Sequence, residues 1–220
     1  LLPSFSKDIR EGRSIGPGVE MYIAATTAIV WPAFLTIGFL SVPITVLLFG
    51  ENWRVAGEIL PYLLCSGAII AALPQPEQIL TPHGEVKRLA GIRFLQLSVA
   101  LSIATVGAMH NLHVFALLSI PSSTIFLTAS YIAIKRFLGT NFRRIFKFYA
   151  LGASLSVTAA APASMLSLVY GPGINAPLIL VALFSGVILW AIGLYLFNHP
   201  IAREVITGFQ WASRYLGPVK

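Results

Sequence analysis

The chain has 220 residues, of which 56% are apolar and only 10% charged, against roughly 25% charged in an ordinary soluble domain; its mean hydropathy is +0.81. A soluble chain of this length cannot hide that much apolar surface, so the composition excludes a soluble globular enzyme, a disordered chain and a disulfide scaffold, and points to a polytopic membrane protein. The formal net charge of +7 lies between apolar runs, which favours membrane orientation over nucleic acid as its explanation.

Residues 1–20 read as a charged cytoplasmic loop. The charge-free run 21–50 holds one span, expected at about 21–48, and the run 59–76 holds a second, at about 57–78, because a helix needs about 20 apolar residues to cross roughly 30 Å of hydrocarbon. The run 94–134 is long enough for two spans, at about 90–109 and 112–134, parted by the polar turn His110-Asn111-Leu112-His113. Residues 135–147 read as a basic cytoplasmic loop. The run 148–202 holds two more spans, at about 146–169 and 177–198, split by Tyr170-Gly171-Pro172-Gly173-Ile174-Asn175, a strong turn signal. Residues 199–220 are then a cytoplasmic tail, weakly amphipathic over 201–216 as suits a helix lying on a membrane face. The stretch from Leu178 to Phe184 does not alternate, as barrel strands would. The expected fold is all-α: a polytopic membrane helix bundle of about six transmembrane helices, four within 21–134 and two within 148–198.

Basic residues set the expected orientation. With both termini in the cytoplasm, fourteen of the fifteen Lys and Arg residues fall on the cytoplasmic side and Arg54 alone lies outside, a strong positive-inside signal.

Pro32, Pro43, Pro61, Pro121 and Pro162 fall inside the expected spans. Each removes a backbone hydrogen bond and tends to kink its helix unless a neighbour satisfies the freed carbonyl; Pro32, Pro61 and Pro121 are the kink candidates. Leu73-Pro74-Gln75-Pro76 ends the second span, and Glu77-Gln78-Ile79-Leu80 reads as a short re-entrant or interfacial piece. Gly152, Ser156, Ala160 and Ser164 recur every four residues, a small face that admits close approach of another helix. Cys65, the single cysteine, excludes an intrachain disulfide and reads as an inert core residue.

No catalytic constellation, metal-ligand set or cofactor motif stands out. His110 and His113 sit in a short loop with no Cys, Asp or Glu beside them in sequence, and Glu51, Glu58 and Glu77 are scattered. Glu58 is expected in the first turn of the second span, where the helix dipole favours an acid. The candidates for function are polar residues at a span edge. Arg93 and Gln96 are three residues apart and share a face; Arg93, with Arg88 nearby, offers a forked donor to an anionic phosphate, or anchors the helix among lipid headgroups.

Two stretches carry a resemblance. One is Leu2-Pro3-Ser4-Phe5-Ser6 followed by a long apolar segment with Trp31-Pro32-Ala33; the other is Val46-Leu47-Leu48-Phe49-Gly50-Glu51-Asn52-Trp53 followed by Leu60-Pro61. Together they resemble the polysaccharide flippase branch of the multidrug/oligosaccharidyl-lipid/polysaccharide exporter superfamily. Gly84 looks like a loop glycine of that family, although Glu85 stands where a basic residue often follows and basicity returns at Lys87-Arg88. The resemblance implies two helical lobes with about twice this chain's spans, of which this chain is a C-terminal fragment. The missing N-terminal lobe would be its partner, beside membrane lipid. It further implies a transporter in the cell inner membrane that flips a polyprenyl-diphosphate-linked oligosaccharide for cell-surface polysaccharide or lipopolysaccharide synthesis, with no cofactor. The alternative is a membrane enzyme or accessory subunit acting on lipid-linked sugars, complete at this size. That reading requires a cluster of polar residues at one membrane face.

Overall fold

The computed structural model describes residues 5–140, 142–197, 199, 201 and 202. Among them the chain is all-helical. Short α1 (Phe5–Arg10) precedes α2 (Gly16–Phe39) and α3 (Ser41–Phe49). A 3-10 turn over Glu51–Trp53 leads into α4 (Arg54–Ile70), followed by α5 (Pro76–Leu80), α6 (Val86–Met109), α7 (Leu112–Leu138), α8 (Phe142–Tyr170) and α9 (Ala176–Leu196). Six segments are long and apolar enough to cross a membrane: α2, α4 with its leading 3-10 turn, α6, α7, α8 with its trailing 3-10 turn, and α9. The chain is a multi-pass membrane protein.

Local chemistry places the ends. Asn111 caps α7 by accepting from the Val114 amide at 2.9 Å, and Asn175 caps α9 through the Leu178 amide at 3.3 Å, so the two expected polar turns lie where they separate helices. Gly139, at φ 55°, ends α7 in the left-handed conformation that glycine adopts without strain. The span expected at 21–48 divides instead at Leu40 into α2 and α3. Pro43 explains the division: its ring clashes with the carbonyl four residues back, at Phe39, but it is tolerated in the first turn of a new helix. The second span stops at Ile70 rather than near 78, and α5 follows it as a separate turn led by Pro76. The basic loop expected at 135–147 is much shorter, because α7 runs to Leu138 and α8 starts at Phe142. Lys135 and Arg136 suit the C-terminal turn of α7, where cations are favoured by the dipole. Apart from Ile201 and Ala202, the amphipathic stretch expected over 201–216 lies outside the described residues.

The helices pack as a row, α6 against α7, then α4, α2, α8 and α9, with α2 on α8 the most extensive contact. The small face of α8 makes that contact possible: a Cβ on Gly152 would lie 2.5 Å from the Cβ of Thr27, and Ser156 and Ala160 are buried. On the next interface Gly186 of α9 packs against the carbonyl of Ala159. The continuity of helix through Pro32 has a specific support. Pro32 cannot donate to the Ala28 carbonyl, and Trp190 of α9 donates its Nε1–H there at 2.6 Å. Helix also continues through Pro61, Pro121 and Pro162.

One end of the bundle holds the largest cluster of buried apolar side chains, built from α1, α2, α5, α6, α7 and α8. Within it Ile79 and Leu80 of α5 are fully buried, so the Glu77–Leu80 piece is tucked into the bundle end. Many outward-facing side chains elsewhere are large and apolar, among them Leu97 and Leu101 on α6 and Phe184 and Ile188 on α9, and outward hydroxyls such as Thr105 and Ser185 bond back to carbonyls of their own helices, as a lipid-facing surface requires.

Candidate functional site

The end that holds α5 is the basic end. It gathers the start of α2, both ends of α5, the start of α6, the end of α7 and the start of α8. Arg144 reaches Glu20 at 3.5 Å and Arg136 pairs with Glu85, which ties these segments together. Arg136 also lies over the Phe137 ring, 4.5 Å from its centroid. Arg88 donates to the Ala133 carbonyl at 3.4 Å.

Arg93 meets three side chains at this end. It donates to Gln96, its neighbour one turn on, pairs with Glu77 of α5, and lies 5.8 Å from the centroid of Phe126 on α7. Of the sequence candidates, Arg93 and Gln96 are therefore brought together, whereas Arg88 is turned toward α7. Sequence spacing did not reveal Glu77 as the partner of Arg93. Its only signal was the proline-led turn that folds α5 back toward α6. The second carboxylate oxygen of Glu77 is buried without a hydrogen-bond partner. Arg93 and Glu77 are each more than a third exposed at the side chain, so the guanidinium is reachable by an anion that competes with Glu77 for it.

The opposite end opens into a cleft of about 870 Å³ between α2, α3, α4 and α8. Its lining is mostly apolar and includes Trp31. Trp31 stacks on Tyr149 with centroids 5.7 Å apart and donates to the Ala68 carbonyl at 3.0 Å, while the Tyr149 hydroxyl donates to the Ala72 carbonyl at 2.7 Å. Both carbonyls lie where α4 ends and lacks helical donors. Cys65 lines this cleft and is exposed, contrary to the expected core position, because α4 turns that side toward the opening and not toward α2 or α7. Arg54 and Glu58 stand at the mouth, with Arg54 gripped by Glu51. Glu58 lies one turn inside α4, not in its first turn, since the helix starts at Arg54. It faces His113 of α7 with Oε2 and Nε2 3.4 Å apart, so a carboxylate distant in sequence stands beside one of the two loop histidines. Among the described residues no three of His, Cys, Asp and Glu come together as a metal site would need.

Comparison of the chain with protein-family models, with curated proteins and with solved structures finds no match.

Proposed function

We propose that the chain is part of a membrane transporter of the flippase type, moving a polyprenyl-diphosphate-linked oligosaccharide across the cell inner membrane, with its basic end in the cytoplasm. The observation that carries this reading is the Arg93–Gln96–Glu77 group at the edge of α6. A diphosphate and a sugar head cannot enter hydrocarbon without polar compensation. A guanidinium held by an exchangeable carboxylate offers that compensation where α6 meets the headgroup level. Among the transmembrane helices α6 packs mainly on α7, and the rest of its surface is open to a second lobe. The LLFGENW stretch and the proline-bearing first spans add the family resemblance. Alternating access would then come from rocking this lobe against its partner.

The test is Arg93→Ala in the intact transporter, assayed for surface polysaccharide in a strain that depends on it. Export is expected to fall while membrane insertion and protein level stay unchanged. Normal export at normal level would remove Arg93 from the substrate path. An antibody to the C-terminal tail gives the companion result: a native polypeptide of roughly 50 kDa, room for about twelve spans, fits the two-lobe reading. A product at 23.7 kDa would favour the complete six-helix alternative.

A further inference from the structure

A second, smaller pocket of about 360 Å³ lies at the basic end between the last turns of α7 and the first turns of α8. Lys135, Arg136, Tyr131, Thr140 and Tyr149 supply its polar lining, and Leu138 and Ile145 supply apolar wall. Among the described residues no Asp or Glu lines it. The charge of Arg136 is already met by Glu85, whereas Lys135 has neither an ion pair nor a hydrogen bond among the described residues. Among the described residues the pocket therefore carries one uncompensated cation, three hydroxyl-bearing side chains, of which Tyr149 already donates to the Ala72 carbonyl, and an apolar wall. It sits where the two helices leave their apolar stretches, the level at which headgroups are expected.

We propose that this pocket binds the phosphate headgroup of an anionic membrane phospholipid, with Lys135 as its charge partner and Leu138 and Ile145 against the first carbons of the lipid. Basic pockets between transmembrane helices recognise anionic headgroups in this way. The site is separate from Arg93 and independent of what the protein transports. Its occupant would fill the gap between α7 and α8, helices that touch little elsewhere.

The experiment uses the purified full-length protein, delipidated in mild detergent and offered phosphatidylglycerol or phosphatidylcholine, with retained lipid counted by native mass spectrometry. Phosphatidylglycerol is expected to be retained in preference. Lys135→Gln is expected to weaken that retention about fivefold, the effect of one headgroup-level charge. Lys87→Gln removes the same charge at the same end without lining the pocket, and is expected to leave retention unchanged. If Lys135→Gln does not yield folded protein, Thr140→Val takes its place under the same criterion, since it removes a pocket hydroxyl at constant charge. Equal loss in the pocket variant and Lys87→Gln would mean diffuse surface attraction and would overturn the site. So would the absence of a preference for phosphatidylglycerol. Complete displacement of the lipid by inorganic phosphate would assign the pocket to a free anion and overturn the lipid assignment.

Discussion

The bond from Trp190 to the Ala28 carbonyl gives the sharpest test of how this bundle tolerates proline. Ala28 is fully buried, so its carbonyl has no water to turn to. Trp190→Phe keeps an aromatic ring and removes the donor. A buried carbonyl left unpaired costs about 1–3 kcal/mol, but hydrogen bonds between helices in a membrane average only about 0.6 kcal/mol and reach about 1.7. The polar part of the loss is thus expected near 1 kcal/mol. The single variant also loses ring area, so its total does not isolate the bond. Pro32→Ala does, because it returns an amide N–H four residues after Ala28 and gives the carbonyl a second donor. In that background Trp190→Phe should cost only packing, less than in the parent by about 1 kcal/mol. The four proteins are compared by reversible unfolding in mixed micelles, followed by circular dichroism. Costs that add to within about 0.3 kcal/mol would refute the claim that Trp190 replaces the proline's missing donor.

Three further outcomes follow from the same physical reasoning. Gly152→Ala should destabilise the bundle. The new Cβ would meet Thr27, whose hydroxyl is held by the Ile23 carbonyl at 2.8 Å, and overpacking of about 1–3 kcal/mol exceeds the helical gain of about 0.5–1 kcal/mol. Gly91→Ala, with nothing within 4 Å, should be neutral or stabilising, and equal stability of the two variants in the micelle titration would contradict the packing argument. His199, past the end of α9, is 1% exposed, and burial holds its imidazole below the ordinary 6.5. The unfolded chain therefore takes up this proton first as pH falls. The His199 contribution is constant above about pH 6.5 and declines below it toward the folded-state value. His199→Phe should flatten stability against pH between about pH 7 and pH 5, and an unchanged slope would show that other groups set it. Finally, Glu77→Gln should leave Arg93 without its charge partner and strengthen capture of inorganic diphosphate by the intact protein in a competition assay. Unchanged or weaker capture would mean that Glu77 does not compete for the guanidinium.

The six spans were legible because a run of about 20 apolar residues has few places to go except across hydrocarbon. Their ends were less so. The charge-free run begins after Glu20, yet α2 starts at Gly16, since Pro17 suits a first turn and Glu20 finds Arg144 on α8. A boundary rule that stops at each charge fails wherever the charge has a partner on another helix. Leu40 marks the other kind of failure: the proline was visible at 43, but a kinked helix and two separate helices share one sequence pattern. At the candidate site, Arg93 with Gln96 was readable from i,i+3 spacing, because both residues are on one helix. Glu77 was not, because its approach to Arg93 depends on α5 folding back into the bundle end.

The same long-range pairing bears on orientation. Every acidic residue among the described ones stands beside a base: Asp8 and Glu11 with Arg13, Glu20 with Arg144, Glu51 with Arg54, Glu58 with His113, Glu77 with Arg93 and Glu85 with Arg136. Exposed pairs of this kind contribute little to stability, about 0–1 kcal/mol each, but those with arginine cancel charge. Arg54, the one Lys or Arg at the cleft end among the described residues, is thereby neutralised by Glu51. At the basic end the described acids are too few, and among the described residues no acid offsets the charge of Lys87, Lys135 and Lys147. The positive charge left unpaired in the folded bundle therefore lies at the end that the basic residues mark as cytoplasmic. It is carried by lysines at the ends of α6, α7 and α8, the level at which lipid phosphates lie.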